Sequence, residues 1–123
     1  MKRRITSTYP HPTKYLAGRL VLTPGSNLVE EADLAEAKKE SRFRQQLDSG
    51  KVKDDGWFVD LLAAQLREDL GSVTSEMILP ITIEEANALA SEFATEPAIV
   101  RHLRNIAERG GVKRVFANAL GEG

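Results

Sequence analysis

The stretch that most restricts how this chain can fold runs from Arg19 to Lys53, RLVLTPGSNLVEEADLAEAKKESRFRQQLDSGK. An apolar run, a Pro-Gly pair and a charged segment of strong helix formers follow one another there without a spacer. Leucine and β-branched residues over Arg19–Thr23 predict a largely buried strand. Pro24-Gly25 closes it, because proline presets φ at the first central position of a type II turn and glycine accepts the positive φ of the second. Asn27-Leu28-Val29 can form a short return strand. Glu30–Glu40 is rich in Ala, Glu, Leu and Lys, with acids in its first turn and Lys38 and Lys39 near its end, the polarity that the helix dipole favours. Ser41 is placed to cap a second short helix carrying Phe43 and Leu47 on one face, and Gly50 stops it. Lys51-Val52-Lys53 can add one more strand. The expected module over 19–53 is thus β-β-α-α-β, with Leu20, Leu22, Leu28, Val29, Leu34, Phe43, Leu47 and Val52 buried.

The flanks read differently. Residues 1–18 contain Pro10 and Pro12 around His11, which forbids a long helix, and the expectation is an extended basic arm, at most with a short strand near Ile5, ordered against a partner. Residues 54–80 form a central helix and its connection. Asp55 is placed to cap a helix from Trp57 to Leu70 whose Phe58, Leu62 and Leu66 make one stripe, widened by Trp57 and Leu61. Such a helix must be covered on two sides, by both halves of the chain or by another subunit. Residues 81–123 form a helical module. Thr82-Ile83-Glu84-Glu85 is a capping box, Thr95 and Pro97 open a second helix, and Gly110-Gly111 separates it from a third bearing Val112, Val115, Phe116 and Ala119. The expected class is α+β, with the small module, an amphipathic central helix and a bundle of three short helices.

Composition bounds the chemistry. The 123 residues contain no cysteine, which removes disulfides, thiolate catalysis and cysteine-ligated metal, and two histidines without an H-E-x-x-H pattern. No apolar run approaches the roughly 20 residues of a membrane span, and MKRR leads into no signal-peptide core, so an intracellular origin is the expectation. His102 stands among arginines with no partner at triad spacing, Glu84 and Glu85 are explained by the helix start, Glu30, Glu31 and Asp33 lack calcium-loop spacing, and Gly110-Gly111 lacks a phosphate-loop frame. The sequence therefore predicts no enzyme, no cofactor and no metal site.

Charge is segregated although its net value is −1. Lys2, Arg3, Arg4, Lys14 and Arg19 stand in a start without acids, the segments 30–40 and 76–96 are acidic, and Arg101, Arg104, Arg109, Lys113 and Arg114 form a basic end. Such blocks are solvated faces or docking surfaces. Lys2, Arg3, Arg4, Trp57 and the five basic residues of the end are accordingly the candidate partner-binding positions. A nucleic-acid-binding module built on the basic C-terminal helices is the alternative, weakened by a pI near 6.1 and by Trp57 and Tyr15, which do not interleave with the basic cluster.

Two stretches carry a resemblance. Thr23-Pro24-Gly25-Ser26-Asn27-Leu28-Val29 with Glu30–Leu34 and Phe43…Leu47…Gly50-Lys51-Val52 resembles the N-terminal module of small accessory proteins encoded among the head and tail genes of Mu-like transposable bacteriophages and prophages. Glu84-Glu85-Ala86…Leu89, Ala94–Arg101 and Glu108–Arg114 resemble the helical tails of such proteins. The resemblance implies a non-enzymatic virion structural or assembly protein at the capsid surface or head–tail junction, with other virion proteins as partners, present as a homo-oligomer or in many copies, and located in the virion or, during assembly, in the host cytoplasm. It transfers no catalytic residue. The basic start and the wide apolar helix lie outside its pattern.

Overall fold

The computed structural model describes residues 1–110, a mixed α+β chain with six helices and a small antiparallel sheet. The chain divides into two compact units, Lys2–Phe58 and the residues from Val59 onward.

In the first unit the strands are β1 (Lys2–Ser7), β2 (Thr13–Tyr15), β3 (Leu20–Leu22), β4 (Gly25–Glu30) and β5 (Val52–Trp57). The main sheet has the order β4-β1-β5, antiparallel throughout, and β2 and β3 form a separate two-stranded ribbon. The extended arm expected over 1–18 is corrected in part: the strand allowed near Ile5 is present, but as residues 2–7 it is the central strand of the sheet. The physical reason lies in period two. Ile5 and Ser7 are buried on one face, and the alternation leaves Arg3 on that face beyond them and Lys2, Arg4 and Thr6 on the other. The expected hairpin of 19–23 with 27–29 is corrected as well. Gly25 takes the predicted positive φ of 92°, yet the two strands flanking the turn join different sheets, β3 with β2 and β4 with β1.

Helices α1 (Glu31–Ala37) and α2 (Ser41–Asp48) stand where the helix formers predicted them, and Gly50 ends the second at φ 79°. Ser41 is the first helical residue rather than the cap. Ile5, Tyr15, Leu20, Leu22, Val29, Leu34, Ala37, Phe43 and Val52 form the core of this unit, with Tyr15 edge-on to Phe43 at 5.1 Å. Leu28, expected inside, is exposed, because the register that buries Val29 turns its neighbour outward. Leu47 is only partly buried.

Asp54-Asp55-Gly56 does not break the chain before the next helix. The triplet continues β5, with a register shift between Arg4 and Ile5 opposite and Gly56 at φ 109°, as a bulge requires. Helix α3 (Phe58–Glu68) therefore starts after Trp57 and owes nothing to Asp55.

Helix α3 buries the expected Phe58, Leu62 and Leu66 together with Val59 and Ala63, while Leu61 is half-buried. A short 3-10 turn at Leu70–Ser72 and helix α4 (Ser75–Ile78) occupy the expected connection, and α5 (Ile83–Glu92) and α6 (Pro97–Gly110) follow. Both halves of the predicted capping box are formed: the Glu85 amide donates to Thr82 Oγ1 at 3.1 Å, and the Thr82 amide donates to Glu85 Oε1 at 3.0 Å. Pro97 opens α6 at the position where its missing N–H costs least. Ile78, Ile81, Ala86, Leu89, Phe93, Ile99, Leu103 and Ala107 are buried. The third helix expected over 112–119 lies outside the described residues.

Candidate functional site

The candidate residues at the start of the chain are brought together with Asp54 and Asp55 of β5, the second of which was expected to cap a helix. Arg3 Nε donates to Asp54 Oδ1 and Oδ2 at 3.0 and 3.1 Å, and its guanidinium carbon lies 4.5 Å from the centre of the Trp57 ring. Lys38 of α1 approaches the same carboxylate, with Nζ 3.9 Å from Oδ2. Asp54 Oδ1 also accepts from the Gly56 amide at 3.1 Å, which fixes the carboxylate against the bulged backbone. One acid thus sits between two cations and a backbone N–H, an arrangement of charge-assisted hydrogen bonds.

On the opposite face of the sheet Arg4 Nε donates to Asp55 Oδ2 at 3.2 Å, and the Thr6 hydroxyl donates to the same oxygen. Lys2 lies across from Glu30, 4.0 Å between Nζ and Oε1, in register on β1 and β4. The basic doublet Arg3-Arg4 therefore matches the acidic doublet Asp54-Asp55 pair by pair, one on each face.

Beside Arg3 a recess of about 280 Å³ is lined by Arg3, Glu31, Leu34, Ala35, Lys38 and Trp57. Its lining combines apolar side chains with both signs of charge. Asp54, Asp55, Lys38 and Glu31 were not singled out as site residues by the sequence reading. The signal that could have found them is the pair of adjacent doublets, equal in length and opposite in charge, in two segments able to form strands.

The basic end is less concentrated in space than in sequence. Arg101 is exposed on α6, Arg104 is half-buried, and the exposed Glu108 lies on the same helix. Arg109 closes α6 with its side chain outside the description, and Lys113 and Arg114 lie outside the described residues. His102, weighed for chemistry, places Nε2 3.3 Å from the Val73 carbonyl and ties α6 to the segment before α4. Glu85 is consumed by its cap. Arg67 of α3 reaches Glu92 at 2.8 Å and covers the Phe93 ring at 4.9 Å, a link between α3 and α5.

Two large aliphatic side chains stand in solvent at the corner between α4 and α5. Leu79 is 53% exposed and Ile83 57%, on either side of the link Pro80-Ile81-Thr82. Among the described residues there is no cluster of His, Asp and Glu able to hold a metal ion, and no helix is long and apolar enough to cross a membrane.

No family model, curated protein or solved structure matches the chain.

Proposed function

We propose that the protein is a non-enzymatic structural or assembly component of a bacteriophage virion, docking on other virion proteins at the capsid surface or head–tail junction and present in many copies. The observation that carries the docking part is the Leu79–Ile83 corner. Isolated exposed aliphatics are ordinary on a protein surface, but two of them, four positions apart on either side of a proline-containing link, give apolar surface of the kind that protein interfaces cover. The two side chains weighed for chemistry have structural contacts, each within the second unit: His102 meets the Val73 carbonyl and Glu85 closes its helix cap. The phage setting rests on the resemblance of the Thr23–Val52 and Glu84–Arg114 stretches.

The alternative, a nucleic-acid-binding module, draws on Arg101 and the half-buried Arg104 among the described residues. Binding to duplex DNA that weakens steeply with salt would favour it.

The test is association with particles. The protein should co-sediment with assembled heads or virions and be detected in them by mass spectrometry. A Leu79→Ser, Ile83→Ser variant should fold as the parent does and lose most of that association. Absence of the protein from purified particles overturns the virion assignment, and undiminished association of the variant overturns the role of the corner.

A further inference from the structure

The recess beside Arg3 has a feature that its structural duty does not explain. Both side-chain hydrogen bonds of the guanidinium leave from Nε, so the two terminal nitrogens have no protein acceptor among the described residues. Asp54 holds the group from one edge and Trp57 covers one of its faces, so the guanidinium is fixed before any ligand arrives. An arginine held in this way loses little freedom when it binds a second carboxylate, and its terminal nitrogens form the fork that matches one. Lys38, exposed and with Nζ 3.9 Å from Asp54 Oδ2, brings a second positive charge to the lining, while Leu34, Ala35 and Trp57 contribute apolar atoms to it. A volume near 280 Å³ is at the lower limit of ligand pockets and suits a side chain or two.

We infer that this recess is a docking site for an acidic segment of a partner polypeptide: Arg3 and Lys38 receive a carboxylate and the Leu34, Ala35 and Trp57 surface receives the aliphatic residue beside it. Glu31 on the wall opposes every further negative charge. A polyanion such as a nucleic acid would bring many, a peptide with one acid among apolar neighbours only one, which is why the observations favour the peptide. The inference deepens the docking reading above, and its test needs no particle.

Trp57 is the single tryptophan of the chain, so its emission reports on the recess directly. The full chain is titrated with acetylated, amidated Leu-Glu-Leu, with the Leu-Gln-Leu counterpart, and with a short single-stranded oligonucleotide. The expected result is a saturable change with the acidic peptide and a weaker response to the amide peptide. Lys38→Gln should weaken acidic-peptide binding, and Glu31→Gln should tighten it, each by roughly two- to fivefold, as expected for exposed charge pairs. Both positions are exposed, so neither change removes a core side chain. A third variant, Arg3→Lys, keeps the charge and loses the fork; with a parental urea midpoint it should still bind more weakly. Absence of a saturable change, an equal response to the two peptides, or tighter binding of the oligonucleotide overturns the inference. A chain that takes the acidic peptide yet is missing from particles upholds it and overturns the virion assignment alone.

Discussion

Replacing Ile5 by Ala tests the architecture at its centre. Ile5 is fully buried, on the middle strand of the sheet, in a core that also contains Val29 and Val52 from the two flanking strands. The truncation removes three carbons, about 2.4 kcal/mol at roughly 0.8 kcal/mol per buried methylene, and the cavity left behind raises the expected loss to about 3 kcal/mol within a range of 2–5. A domain the size of the Lys2–Phe58 unit is stable by roughly 3–9 kcal/mol, so the variant should lose a third or more of its stability. Urea denaturation followed by Trp57 emission reads this unit, since Trp57 ends β5 beside Arg3. The midpoint should fall with the slope unchanged, because the same surface is exposed on unfolding. Val21→Ala, at a position 42% exposed on β3, is the control and should cost under about 0.5 kcal/mol. If Ile5→Ala costs no more than this control, or if a chain lacking residues 1–8 keeps the parental transition, then β1 is not the centre of the sheet and the first residues are an arm after all.

Four further outcomes follow from the same geometry. A double-mutant cycle on Arg3→Met and Asp54→Ala should give a coupling of about 1 kcal/mol that shrinks in high salt, as for a part-exposed ion pair; zero coupling would mean that the pair is incidental. Thr82→Ala removes the acceptor for the Glu85 amide and should cost about 1 kcal/mol, read as a lower melting temperature together with faster hydrogen exchange of that amide. Gly25→Val meets no steric obstacle but must hold a β-branched residue at φ 92°, and should destabilise the first unit by about 1–2 kcal/mol in urea denaturation. Burial raises the Tyr15 phenol above its ordinary value of 10.0, against the opposing pull of the Arg42 guanidinium, so the folded state keeps the proton longer than the unfolded chain does. The stability this contributes is present below pH 10 and is lost as the pH climbs through the raised value; Tyr15→Phe should flatten the decline in an alkaline denaturation series.

Much of what was legible in the sequence depends on neighbours a few residues apart, although the caps expected at Ser41 and Asp55 are not formed. The capping box at Thr82–Glu85, Pro97 at the head of α6 and Gly50 after α2 are all decided within one helical turn, and all stand where their residue types placed them. Strand pairing is decided by partners far along the chain, and there local chemistry misleads. Pro10 and Pro12 correctly exclude a helix near the start, but an extended arm and a central strand have the same local backbone, and Ile5 is the one large apolar residue among Lys2–Ser7 to tell them apart. Asp54-Asp55-Gly56 has the composition of a turn and helix cap, yet Arg3 and Arg4, about fifty positions earlier, supply the partners that make it a strand, and the glycine serves the bulge instead of a break. The same pairing changes what can be asked of the candidate site. Arg3 and Arg4 side by side look interchangeable in sequence, whereas period two sends them to opposite faces with different acids. Replacing both by serine would leave an arm's fold untouched; in the central strand it takes the arginine partners from Asp54 and Asp55, so it should destabilise the first unit before it says anything about docking. Lys38 and Glu31, exposed on α1 at the edge of the recess, are the positions where recognition can be varied while the sheet is left intact.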